Sequence, residues 1–190
     1  EKNEKGYITK MNVLIPSDMI RRGIESKRNL VSVSSCGMCG KSEMDLSLPG
    51  ETIRPVKKLP VAYIGRMFEM MSEQQNTFKD SGGSHAAAAF TADAQLLVVK
   101  EDIGTHNAVD KVIGSLLQQQ KLHDAACLLV SGRLSYEIVS KCFRAGIPFL
   151  AAVSAPSSMA IEYCEKTGIT LLAFCRQNKC TVYTHPENIA

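Results

Sequence analysis

Two hydrophobic periods alternate along the second half of this chain. Short apolar runs rich in β-forming residues, LLVVKED (96–102), AACLLVS (125–131), PFLAAVS (148–154) and TLLAFC (170–175), read as strands. Between them, THNAVDKVIGSLLQQQ (105–120), SYEIVSKCFRAG (135–146) and PSSMAIEYCEKTG (156–168) repeat apolar residues every three to four positions and read as helices. In the first of these helices Val109, Val112, Leu116 and Leu117 are placed toward the core, and Gly146 stops the second. CTVYTH (180–185) reads as a last strand. HAAAAF (85–90) is rich in a helix former but short, and TADAQ (91–95) after it resembles a hairpin turn, so a strand pair is expected. KLPVAYIGRMFEMMSEQQNTF (58–78) predicts one helix from about Pro60, with Ile64, Met67, Phe68 and Met71 on its core face and SGGS (81–84) as its end. Further upstream the pattern is irregular. YITKMNVLI (7–15) and NLVSVSS (29–35) read as strands around a short helix in PSDMIRRGIE (16–25), capped by Ser17 or Asp18 and broken by Gly23.

Alternating strands and helices imply an α/β layer structure with at least part of the sheet parallel. In such sheets the ligand crevice lies at the carboxyl ends of the strands. Three polar loops fall at such ends: SGR (131–133), SAPSS (154–158) and FCRQNK (174–179). At 190 residues the expectation is a single domain spanning 1–190.

Composition narrows the function classes. Apolar residues make up 45% and charged residues 22%, ordinary for a soluble globular protein. A net charge of +3 is too mild for a duplex nucleic-acid binder. No apolar run reaches the length of a membrane span, and the first residues lack the apolar core of a signal peptide. The seven cysteines are odd in number and mostly sit among apolar residues, which fits reduced thiols in the cytoplasm.

Four stretches carry candidate chemistry. SSCGMCGK (34–41) holds Cys36 and Cys39 as a CxxC. A structural zinc site wants four ligands, and there is no second CxxC, although Cys175 and Cys180 would complete a composite set. A thioredoxin-like redox pair wants a helix start, whereas Gly37 and Gly40 predict a mobile loop over 34–50. A mobile loop with an accessible thiol suits a sulfur carrier, the second cysteine releasing sulfide by thiol exchange. Spacing alone does not choose among the three. GGSH (82–85) places His85 at a turn, as a core-edge residue or as a base, a ligand or a hydrogen-bond donor. EDIGTHNAVDK (101–111) sets Glu101, Asp102, His106, Asn107, Asp110 and Lys111 at a strand-to-helix junction, with Asp102 or Thr105 as the helix cap. That junction is either a solvated first turn or a site for an anionic or guanine-type ligand. SGRLS (131–135) offers Arg133 in a phosphate-cradle position without the lysine of a Walker loop.

Taken together, SSCGMCGK, GGSHAAA, EDIGTHNAVDKVIG, SGRLSYEIVSK, GIPFLAAVSAPSSMAI and GITLLAFCR resemble the FdhD family of formate dehydrogenase accessory proteins, from about residue 30 to 184. The resemblance implies a sulfur carrier, a sulfurtransferase by persulfide relay. It would take sulfur from a cysteine desulfurase and pass it to the molybdenum cofactor, as bis(molybdopterin guanine dinucleotide), before that cofactor enters formate dehydrogenase. Cys36 would bear the persulfide and Cys39 would be its partner. The family's cofactor-binding segment matches Phe174, Cys175, Arg176, Gln177, Asn178 and Lys179, and two pyrophosphates would suit Arg133, Arg176 and the His106 junction. The implied fold is a cytidine-deaminase-like three-layer α/β/α arrangement with a mixed sheet, without the deaminase zinc signature: Ala87 follows His85-Ala86 where a deaminase needs an acid. No metal of its own is implied, and a homodimer is. The family usually has arginine at Thr105 and further β structure upstream, so the chain is expected to begin inside the protein. The alternative from another class is a chaperone for the same cofactor, its cysteines a redox latch.

Overall fold

Strands β1 (His85–Phe90), β2 (Leu96–Asp102), β3 (Cys127–Val130), β4 (Phe149–Ala152), β5 (Thr170–Arg176) and β6 (Lys179–Val182) join into one sheet in the order β2-β1-β3-β4-β5-β6. In this computed structural model the described residues are 52–177 and 179–190, with Glu1, Lys2, Glu4, Gly6, Lys10, Asn12, Leu14, Ile15 and Pro16. The chain divides into two compact units, Glu1–Val33 and Ser34–Ala190. In the first, the amino group of Glu1 donates to the Lys10 carbonyl at 2.8 Å. The strands expected over 7–15 and 29–35, the helix over 16–25 and the cysteine loop over 34–50 lie wholly or largely outside the described residues.

The sheet is mixed, as the resemblance implied. β3, β4 and β5 run parallel, while β1 is antiparallel to both neighbours and β6 to β5. Helices cover both faces, giving three layers. α3 (Thr105–Gln118), α4 (Tyr136–Arg144) and α5 (Ser158–Thr167) pack on one face, and α1 (Ala62–Glu73) on the other. With both faces covered, successive side chains of β3 and β4 enter opposite cores, and these two strands are apolar throughout. In β3, Leu128 and Val130 enter the α3–α4–α5 core, while Cys127 and Leu129 meet Leu59, Ile64, Met67 and Met71. In β1 the four alanines Ala86–Ala89 are fully buried, alternating between the two cores. The hairpin between β1 and β2 closes with Thr91 N–H on Gln95 O at 2.9 Å, and Ala94 takes a φ of 60°.

Two expectations need correction. The helix expected from Pro60 through 78 is two helices: α1 begins after Val61, and a separate α2 (Asn76–Ser81) follows. The break has a tertiary cause. The Glu101 carboxylate accepts the amide N–H of Thr77 at 2.9 Å and of Phe78 at 2.8 Å, giving α2 an N-terminus that no local residue signals. Gly82, at φ 65°, ends it where SGGS was expected to. Leu117, placed on the core face by sequence, is 57% exposed. Ala108, Val109, Val112 and Leu116 form the buried stripe of α3, and Leu117 lies one step beyond it.

Candidate functional site at the carboxyl edge of the sheet

The parallel strands end at Val130, Ala152 and Arg176 on one edge of the sheet. Because β1 runs the other way, His85 starts there, and the pairing of His85 with Asp102 brings the end of β2 to the same edge. The loops are tied together. Leu134 N–H donates to Ala155 O at 3.1 Å, and Ser157 N–H returns to Leu134 O at 2.9 Å. Ser157 Oγ accepts Ala160 N–H at 3.2 Å, capping α5. Gly132 is buried against the start of α3: a Cβ there would lie 2.8 Å from Thr105 Oγ1 and 3.2 Å from Thr105 Cγ2. A cavity of about 850 Å³ opens among these loops, lined by Thr105, His106, Arg133, Ser135, Ser154 and Arg176 with their neighbours.

Polar groups at its rim are ordered by specific partners. Ser131 Oγ accepts Ala86 N–H at 2.9 Å and lies 3.3 Å from His85 Nδ1. His106 Nδ1 is 2.8 Å from Glu137 Oε2 and its Nε2 is 3.1 Å from Ser135 Oγ. Asp110 pairs with Lys141 at 2.5 Å, so His106 and Asp110, four apart on α3, both reach α4. Neither expected cap of α3 is found. Gly104 is the N-cap and makes no side-chain cap bond. Asp102 instead accepts from Gly104 N–H and Asn107 Nδ2–H, each at 3.0 Å, and from Lys111 at 2.5 Å. Thr105 is the first helical residue and packs on Gly132.

The Lys111 ammonium, with the Gly104 amide, holds the Asp102 carboxyl down to about 2. Its folded value therefore lies below the unfolded value of 3.8, and the stability it contributes is present above about pH 4 and lost as pH falls toward 2. Asp102→Asn is expected to lower stability at neutral pH by about 1 kcal/mol, since the half-exposed Lys111 leaves part of the pair in water. Urea titrations at pH 7 and pH 2.5 check this: the loss should shrink at the lower pH, and an equal loss at both would refute the linkage. Burial works to raise the Glu101 carboxyl, but hydrogen bonds from Ser84 and the amides of Thr77 and Phe78 outweigh it, and the net direction is down.

The segment 174–179 is divided between two sides of the sheet. A register shift between Ala173 and Arg176 bulges β5 against β6. Phe174, at φ 53°, is 48% exposed, with its ring 6.5 Å from that of Tyr183, and lines neither cavity. Cys175 turns under α1 into a second cavity of about 780 Å³. Burial, with Cys180 beside it, pushes its thiol up to about 12, so it stays protonated at neutral pH. Gln177 and Lys179 line that second cavity, and Arg176 lines both. The structure thus brings Arg133, His106 and Arg176 to one cavity and Cys175, Gln177 and Lys179 to the other. Cys36, Cys39 and Asn178 lie outside the described residues. Among the described residues no group of three or more His, Cys, Asp or Glu could hold a metal ion, and no helix is long and apolar enough to cross a membrane.

Sequence reasoning missed Glu137. It reads locally as a first-turn acid of α4, and only the α3–α4 packing shows that it holds His106. The three loops at strand ends were the signal that did find the edge.

The FdhD/NarQ family profile matches residues 7–190. The chain is 43% identical over 183 residues to a protein named sulfur carrier protein FdhD from Mycolicibacterium paratuberculosis, covering 94% of this chain and 67% of that one. It is 45% identical to the protein of the same name from Sulfolobus acidocaldarius, covering 85% of this chain and 63% of that one. It therefore spans about two thirds of the length of these curated relatives. Among solved structures, a candidate formate dehydrogenase accessory protein from Desulfotalea psychrophila superposes with a TM-score of 0.67 at 30% identity, over 74% of this chain and 62% of that one. With a profile match over nearly its whole length and relatives above 40% identity, the chain belongs to the FdhD/NarQ family.

Proposed function

We propose that this chain is a sulfur carrier that moves a persulfide sulfur from a cysteine desulfurase to the molybdenum cofactor of formate dehydrogenase. Cys36 attacks the outer sulfur of the desulfurase persulfide, that S–S bond breaks, and the desulfurase thiol leaves. Cys39 is the partner that attacks the loaded cysteine and releases sulfide when no acceptor is bound. The cargo is bis(molybdopterin guanine dinucleotide), held at the carboxyl edge while sulfur is passed on. On this reading the protein works in the cytoplasm, as a homodimer, and serves formate dehydrogenase before the cofactor is inserted.

The observation that carries the reading is the 850 Å³ cavity with Arg133 and Arg176 on its wall. Both arginines are exposed, and neither has a carboxylate partner among the described residues. Planar guanidinium groups in that state suit pyrophosphate oxygens. The relatives' name supports the sulfur chemistry.

The test is intact-protein mass spectrometry after incubation with a cysteine desulfurase and cysteine. One added sulfur is expected, mapped to Cys36 or Cys39. Absence of any sulfur adduct with guanine-nucleotide binding intact would sink the carrier reading and favour the cofactor chaperone. In parallel, Arg133→Ala and Arg176→Ala are each expected to weaken guanine-nucleotide binding about 10-fold, the scale of one charge-assisted hydrogen bond. Unchanged affinity by calorimetry in both variants would remove the cavity from the assignment.

A further inference from the structure

His106, Ser135 and Glu137 form a hydrogen-bonded line at the wall of the 850 Å³ cavity. Ser135 Oγ lies 3.1 Å from His106 Nε2, and His106 Nδ1 lies 2.8 Å from Glu137 Oε2. Both contacts tie α3 to α4, but a tie alone does not account for the use made of the Ser135 hydroxyl. Ser135 is the N-cap of α4, where a serine hydroxyl ordinarily accepts a first-turn amide. Here it makes no cap bond, and its hydroxyl is given to the imidazole. The carboxylate of Glu137 can only accept, so in the neutral ring the proton sits on Nδ1 and bare Nε2 faces the hydroxyl. That is the tautomer a general base requires. Ser135 and His106 both line the cavity, so the hydroxyl opens on ligand space.

The geometry points to Ser135 as an activated nucleophile, with His106 as its general base and Glu137 as the residue that positions the ring, acting on an ester that carries a negative charge. Such a set is recognised by roles and distances, whatever its order in the chain. The substrate class follows from the walls. Arg133 and Arg176 supply positive charge, and the exposed Ile103 supplies apolar surface on the wall of the same cavity. The positive end of α4 stands at the same place, where an oxyanion would develop. In the step, Ser135 Oγ bonds to the acyl carbon and its proton passes to His106 Nε2. The bond from that carbon to the leaving oxygen breaks, and the leaving group takes the proton. Water then repeats the sequence, freeing the acid and restoring Ser135. No oxidant or reductant is consumed. The inference does not depend on sulfur transfer, because neither Cys36 nor Cys39 takes part.

The experiment is labelling of the full chain with a fluorophosphonate, followed by peptide mapping. A single adduct on Ser135 is expected, absent in Ser135→Ala. Glu137→Gln keeps an acceptor oxygen near Nδ1, and its fold is checked by circular dichroism. It should label roughly 100-fold more slowly, as should His106→Ala. A 4-nitrophenyl ester bearing a free carboxylate should be hydrolysed with the same dependence, and Arg176→Ala should raise its KM with kcat little changed. No adduct on Ser135 in the folded wild type would overturn the proposal. So would equal labelling rates in wild type and Glu137→Gln, which would reduce the line to a structural tie.

Discussion

Gly168→Ala is expected to destabilise the protein by about 3 kcal/mol, lowering the melting temperature by roughly 10 °C. Gly168 follows α5 at φ 81°, and its amide and that of Ile169 both return to Cys164 O, at 3.0 and 3.1 Å. An alanine there takes on the left-handed penalty of about 1–2 kcal/mol. It also meets something rigid. Its Cβ would lie 2.2 Å from the backbone oxygen of Ile53, which is itself fixed by Ile53 N–H on Thr167 O at 2.8 Å. Either the strap at Ile53 moves off α5 or the helix end unwinds. Gly82 is the control, since at φ 65° it has nothing within 4 Å of its Cβ position. Gly82→Ala should cost only the conformational part, about 1 kcal/mol. Thermal and urea unfolding of both variants decide the matter: equal losses would mean that the Ile53 contact is not rigid.

Cys36→Ala is expected to reduce activation of formate dehydrogenase to background, the largest functional effect in the molecule on the sulfur-carrier reading. The alanine removes the only atom that accepts sulfur at that position, and no buried thiol can replace it. Cys127 and Cys142 are fully buried, and burial pushes both thiols far up. Cys175 is held near 12. At neutral pH none of these supplies the thiolate that sulfur transfer needs. Guanine-nucleotide affinity of the variant should match wild type. A variant that still activates the dehydrogenase would favour the chaperone reading and make the cysteines a latch.

The second half of the fold is legible because each element announces itself by period. The strands from Cys127 to Arg176 are apolar runs of strand length, and the intervening helices carry stripes such as Val109, Val112 and Leu116. From that alternation the convergence of the 131–133, 154–158 and 174–179 loops on one edge can be read directly. What escapes is set by distant partners. The split between α1 and α2 depends on Glu101, more than twenty residues away from Thr77 and Phe78. The turning of Cys175 away from Arg176 depends on a bulge whose positive-φ residue, Phe174, is not a glycine and gives no turn signal. Leu117 escapes because it is apolar and only about 100° around the helix from Leu116, so the sequence pattern does not separate the buried position from the exposed one. Glu137 was missed since its chemistry exists only across an interhelical contact.

His85, Ser131 and Arg176 belong to the walls of both cavities. A party wall of this kind has a thermodynamic consequence. An occupant of one cavity that reorients Arg176 changes the affinity of the other for its own occupant. Linkage then requires the influence to be reciprocal and equal in free energy in both directions. Two ligands, or two arms of one ligand, that both draw on Arg176 would therefore not be held independently by this protein.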